Sequence, residues 1–207
     1  ATCNLQPFPW GTIMIGGIIL AAGSSRRFGD DKRKVVLASG QMMLEETIHK
    51  AASVLDKVLV VLRFGDRELA NSLGARIDNS SVAYFLAPDS AKGMAHSLAN
   101  AMHRVHDWEA ALILLGDMPF VQAETIESIL GAYEFRKTRQ PIVVPCKDGV
   151  MGHPVLFAQH YYPEIEALTG DRGARPVIDA HEDHVYRLAV ADPGVIRDID
   201  TPGDLGG

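Results

Sequence analysis

Ile13-Met14-Ile15-Gly16-Gly17-Ile18-Ile19-Leu20-Ala21-Ala22-Gly23-Ser24-Ser25-Arg26-Arg27-Phe28-Gly29 is the stretch on which the fold turns. Ile13 to Ala21 is a continuous apolar run rich in β-branched residues, as expected of a strand buried on both faces. A polar loop, Ala22 to Lys34, follows it. The rest of the chain repeats this alternation. Strands are expected at Lys57–Leu62, Val82–Phe85, Ala110–Leu115, Pro141–Pro145, His153–Phe157 and His184–Val190. Helices are expected at Met43–Leu55, Asp66–Leu73, Gly93–Val105 and Ala123–Lys137, with short ones at Pro163–Leu168 and Ala174–His181. This predicts an α/β fold, Rossmann-like, a mostly parallel twisted sheet with helices on both faces. In such sheets ligands bind beyond the carboxyl ends of the strands.

Composition bounds the rest. The 207 residues suit one domain, expected over residues 14–207, with 1–13 as an N-terminal extension whose origin is open. A formal net charge of -6 gives no electrostatic reason to expect nucleic acid as a partner. The longest apolar run contains Gly16 and Gly17 and is too short to span a bilayer, so no membrane partner is expected. Two cysteines, Cys3 and Cys146, form neither a disulfide framework nor a zinc motif, and a cytoplasmic location is the default.

Three motifs fall at or near predicted strand ends. In the first, the small residues Ala22 to Ser25 let backbone N–H groups approach phosphate oxygens. Arg27 and Lys32 then supply positive charge for a triphosphate. The loop has neither Walker nor G-x-G-x-x-G spacing, so a flexible basic surface loop is the competing reading. In the second, Leu114-Leu115-Gly116-Asp117-Met118-Pro119, a carboxylate stands at the tip of a buried strand, where it can hold Mg²⁺ or simply cap a turn. In the third, Asp198-Ile199-Asp200-Thr201-Pro202, alternation puts both carboxylates on one face. Asp200 is the candidate second ligand, with Asp198 in reserve. Gly152-His153-Pro154 reads as a tight turn, and Gly170-Asp171-Arg172-Gly173-Ala174-Arg175 places two arginines at a helix start, an anion site or a solvated loop. Lys92-Gly93-Met94-Ala95-His96-Ser97 opens a helix whose N–H groups are placed to face a nucleotide.

Together these motifs resemble the MobA-like nucleotidyltransferases, especially molybdenum cofactor cytidylyltransferases. The family pattern LAAG-x-S-x-R-[MF]-G, lysine, G-D-x-P, G-H-P-x-x-F, G-D-x-G-A-R and D-[IV]-[DN]-T-P is matched in order from Leu20 to Pro202. The resemblance implies a fold of the nucleotide-diphospho-sugar transferase type, Mg²⁺ and a nucleoside triphosphate. It implies that Leu20, Ala21, Ala22, Gly23, Ser24 and Ser25 line the nucleotide, with Ala87 to Ser97 alongside it. Arg27 and Lys32 would meet the phosphates, and Asp117 with Asp200 the metal. Lys34 is the alternative to Lys32. Arg27, Lys32 and Asp117 are the implied catalytic residues, and Gly152, His153, Asp171 and Arg175 the acceptor side. Ala22, where guanylyltransferases of the family carry glycine, favours CTP over GTP. The implied acceptor is a molybdopterin-type phosphate, and a molybdoenzyme or its chaperone the implied partner; a guanylyltransferase, or a nucleotidyltransferase of the same fold acting on another small phosphometabolite, is the alternative enzyme. A non-catalytic pterin carrier is the other class of reading, disfavoured because a carrier needs no metal pair.

Overall fold

The computed structural model describes residues 14–23, 28, 31–201 and 203–204. Ser24, Ser25 and Arg27 therefore lie outside the described residues. The first half of the chain builds a parallel ladder. β1 (Ile15–Leu20) sits between β2 (Val58–Arg63) and β4 (Ala110–Leu115), and β3 (Val82–Ala87) flanks β2. Isoleucine, leucine and valine fill these strands because both faces are covered, and Ile18, Ile19, Val60, Val61 and Leu112 are fully buried.

The helices α1 (Met43–Val54), α2 (Arg67–Arg76) and α3 (Met94–Met102) make the crossovers. The chain runs outward from β1 through β2 to β3, then returns to place β4 on the other side of β1. The strand order thus reverses between β1 and β4, which opens a crevice at their carboxyl ends.

Beyond α4 (Ala123–Arg136) the pattern changes. β5 (Ile142–Lys147) and β6 (Val150–Met151) form a hairpin. Its two-residue turn, Asp148-Gly149, has φ of 51° and 81°, the pairing that the twist of a tight hairpin requires. β7 (Val155–Ala158) follows at once and lies antiparallel to both β4 and β5. A connection this short cannot cross over, so reversal is the only pairing open to it. Two short helices, α5 (Tyr162–Glu166) and α6 (Arg175–Ala180), precede β8 (Val185–Ala189), which pairs parallel with the far edge of β5. α1 packs on α4, and α3 on α5. Among the described residues no helix is long and apolar enough to cross a membrane.

Candidate active site at the strand switch point

The ends of β1 and β4 are held together by a bond from the Gly116 amide to the Leu20 carbonyl, 3.0 Å. A Cβ on Gly116 would stand 3.0 Å from that of Ala21 and 3.3 Å from the Leu20 oxygen. Glycine is what lets the two strand ends close. Above them lies a cleft of about 820 Å³, walled by Leu20, Ala21, Ala22 and Gly23 on one side and Gly116 and Asp117 on the other. That volume is ordinary for a small-molecule site.

Three distant segments meet on its rim. The Lys32 ammonium donates to Asp117 Oδ2 at 2.7 Å, to Asp200 Oδ1 at 3.0 Å and to the Ile199 carbonyl at 3.0 Å. The Ile199 amide donates to the Asp117 carbonyl, 3.0 Å, and ties the C-terminal segment to the end of β4. Ile199 is fully buried, so its neighbours face the other way: Asp200 turns to the lysine and Asp198 is exposed. Burial works against the Lys32 charge, but the bonds to Asp117 and Asp200 prevail and raise its pKa above 10.5. Lys34, two residues on in the same short 3₁₀ turn, is exposed.

Sequence reasoning passed over Arg33. Its side chain is only 4% exposed. It binds Asp31 at 2.7 and 2.8 Å, the Ala21 carbonyl at 2.9 Å, and Asp66 at the turn after β2. Burial raises the Asp31 carboxyl, but the Arg33 bonds outweigh it and leave the pKa below 3.8. The Arg33 guanidinium is itself held more strongly charged than usual, its bonds to Asp31 and Asp66 overcoming the burial. Arg33 therefore fixes the start of the segment after β1 to the β2 end. The run Asp31-Lys32-Arg33-Lys34 gives no sign of this. Three adjacent cations in one tight turn must point in three directions, and only the packing says which goes inward.

A second pocket, about 260 Å³, adjoins the cleft and shares Leu20, Met94, Leu115 and Asp171 with it. Gly152, His153 and Arg175 line it together with apolar side chains such as Val144 and Phe157. The His153 amide donates to the Val195 carbonyl, 2.8 Å, and its Nδ1 is buried with no partner among the described residues. Burial lowers the His153 pKa below 6.5, against the raising pull of a bond to the Ile113 backbone and of the Asp117 and Asp198 charges.

Two expectations need correcting. The start of α3 does not offer its first amides to the cleft, because Asp171 Oδ1 accepts from the Met94 amide at 3.3 Å and the Gly170 carbonyl from that of Ala95 at 3.0 Å. Gly93, with φ of 129°, permits this contact; a Cβ there would fall 2.3 Å from Asp171 Oδ1. Arg172 and Arg175 both line the second pocket, and both pair with Asp179, at 3.0 and 2.7 Å. Ala87 is fully buried at the end of β3 and does not line the cleft. Ser97 does line it, although its hydroxyl donates back to the Gly93 carbonyl at 3.3 Å.

A strand order that switches at β1–β4, with Asp117 lining a cleft at the switch and Asp200 sharing its lysine, places the protein in the α/β class whose ligands bind beyond the strand ends. Within that class the chain belongs to the MobA-like NTP transferase family, whose domain matches residues 17–185. It is 28% identical to the purine catabolism protein PucB of Bacillus subtilis over 196 residues, 90% of this chain and 91% of the relative. Over 148 residues, 71% of this chain and 66% of the relative, it is 27% identical to a probable molybdenum cofactor guanylyltransferase of Natranaerobius thermophilus. Among solved structures, Rv0371c of Mycobacterium tuberculosis superposes with a TM-score of 0.78 at 28% identity, covering 94% of this chain and 96% of that one. A structure of Rv0371c in complex with manganese superposes with a TM-score of 0.73 at 26% identity, covering 92% and 95%.

Proposed function

We propose that the protein transfers CMP from CTP to a phosphate-bearing acceptor, molybdopterin cofactor being the favoured one, and releases pyrophosphate with the help of Mg²⁺. The observation that carries this reading is the convergence of Asp117 and Asp200 on one cation, the Lys32 ammonium. That ammonium stands in for a divalent ion. A pair of carboxylates that can share one cation, in a cleft with room for phosphates, is the donor set Mg²⁺ favours. Asp117 and Asp200 would hold the metal, which when bound supplies charge neutralisation at the α-phosphate.

The chain's own residues do the rest by position and charge. The amides following β1 face the phosphates. Lys32, released from its carboxylates, neutralises the triphosphate, and Arg27 joins it. The 260 Å³ pocket beside His153 takes the acceptor. There, an acceptor phosphate oxygen forms a bond to the α-phosphorus while the bond to the β-bridging oxygen breaks and pyrophosphate leaves. No covalent intermediate on the protein is required, since positioning and electrostatic stabilisation suffice. The product would pass to a molybdoenzyme or its chaperone.

CTP rests on Ala22, and the guanylyltransferase relative makes GTP the second reading. The test is pyrophosphate release with the four nucleoside triphosphates, crossed with molybdopterin and simpler phosphate acceptors, with and without Mg²⁺. Mg²⁺-dependent release with CTP and molybdopterin is expected. A clear preference for GTP would overturn the CTP assignment, and no release with any pair would overturn the enzyme.

A further inference from the structure

We propose that Phe64 is the platform on which the nucleobase stacks, an inference that rests on the reading of the large cleft as the nucleotide site. Phe64 follows β2 and lines that cleft while remaining 67% exposed. A single exposed phenyl is ordinary on a protein surface. Most of the other large exposed apolar residues, among them Phe135 and Val36, lie off the cleft.

Phe64 differs in being held. Its amide donates to Ser90 Oγ at 3.1 Å, which joins the β2 end to the segment after β3. The preceding residue, Arg63, donates its amide to Asp66 Oδ2 at 2.9 Å and its Nε to the Gly23 carbonyl at 3.0 Å. The turn is thus tied to the phosphate loop on one side and to the β3 loop on the other. The backbone that carries the ring is held at the mouth of the cleft while the ring itself stays exposed, which is the arrangement a stacking partner requires.

Its distance from the chemistry fits as well. β2 is separated from β4, which carries Asp117, by β1 alone. Neighbouring strands lie ~4.8 Å apart, so the β2 and β4 ends stand roughly 10 Å apart. A nucleotide whose α-phosphate lies beside Asp117 therefore carries its base to the β2 end. Every base has a π-face, so a phenyl platform adds affinity without choosing between bases. Phe64 accordingly holds all four triphosphates, and the choice of CTP or GTP is made elsewhere.

Binding of CTP, GTP and inorganic tripolyphosphate should be measured by calorimetry on the wild type, Phe64→Ala and Phe64→Tyr. Phe64→Ala should weaken CTP and GTP by about tenfold each and leave tripolyphosphate unchanged, and Phe64→Tyr should restore the loss. Equal nucleoside triphosphate binding by wild type and Phe64→Ala would overturn the stacking role while leaving the cleft assignment standing. A matching loss for tripolyphosphate would mean that the substitution disturbs the cleft wall, and would overturn it too. If the wild type itself binds no triphosphate, the cleft reading fails and this inference with it.

Discussion

Asp117→Asn separates a structural role from a chemical one. The substitution keeps shape and an acceptor oxygen but removes the charge facing Lys32. Lys32 retains Asp200 at 3.0 Å and the Ile199 carbonyl at 3.0 Å, so the ammonium is not stranded. Because the ammonium keeps its charge, its bond to the amide oxygen stays charge-assisted, and only the attraction between opposite charges is lost. That loss is about 1 kcal/mol, and solvent reduces it because the Asp117 side chain is 24% exposed and that of Asp200 37%. For a domain of this size, 1 kcal/mol moves the melting temperature by about 2–4 °C. Losing one electrostatic group at the reacting centre costs about 10²–10³ in rate. The fold should therefore survive nearly intact while pyrophosphate release falls by two to three orders of magnitude. Asp200→Asn should behave alike, and the double variant should be only a few-fold slower than the worse single one, because both carboxylates serve one ion. Steady-state pyrophosphate release and differential scanning calorimetry on the three variants make the measurement. Asp117→Asn within threefold of wild-type turnover would refute the metal pair, as would multiplicative losses in the double variant.

Three further outcomes are expected. His153, whose folded pKa lies below 6.5, favours the neutral ring, so the stability this provides is full above pH 6.5 and is lost as the pH falls through the folded value. An NMR titration should find its midpoint under 6.5, and His153→Gln should lose less stability than wild type on acidification; a midpoint at or above 6.5 contradicts this. Gly116→Ala forces the β1 and β4 ends apart and should cost about 1–3 kcal/mol in urea unfolding, whereas an unchanged midpoint would show that the contact gives way freely. Arg33→Leu removes the shared partner of Asp31 and Asp66 and should cost about 3 kcal/mol or more, with Arg33→Lys recovering only part because an ammonium lacks the guanidinium fork. A loss under 1 kcal/mol for Arg33→Leu would mean that the buried clamp is not structural.

The two halves of the chain differ in how far local pattern determines them. Ala110–Leu115 matches its expected strand at both ends, and Met43–Val54 departs from its expected helix by one residue, because apolar periodicity and burial on both faces act locally. That strands alternate with helices, and that a small-residue loop follows β1, is determined by the sequence alone. The antiparallel insertion of β7 between β4 and β5 is not, since it follows from which strand edges are open once β1 to β4 have assembled. The site divides in the same way. Glycine and aspartate at the end of a buried strand mark a site locally, so Gly116 and Asp117 stand out on reading. The meeting of Lys32 with Asp117 and Asp200 spans separations of 85 and 168 residues, and no short pattern encodes a contact at that range. Only the tertiary structure decides that Lys32 and not Lys34 faces the carboxylates, that Arg33 turns inward to Asp66, and that Asp171 spends its carboxylate on the start of α3. The first two follow because a charge taken out of water must find its partner within hydrogen-bonding distance, whereas the contact of the exposed Asp171 rests on the close approach that Gly93 allows.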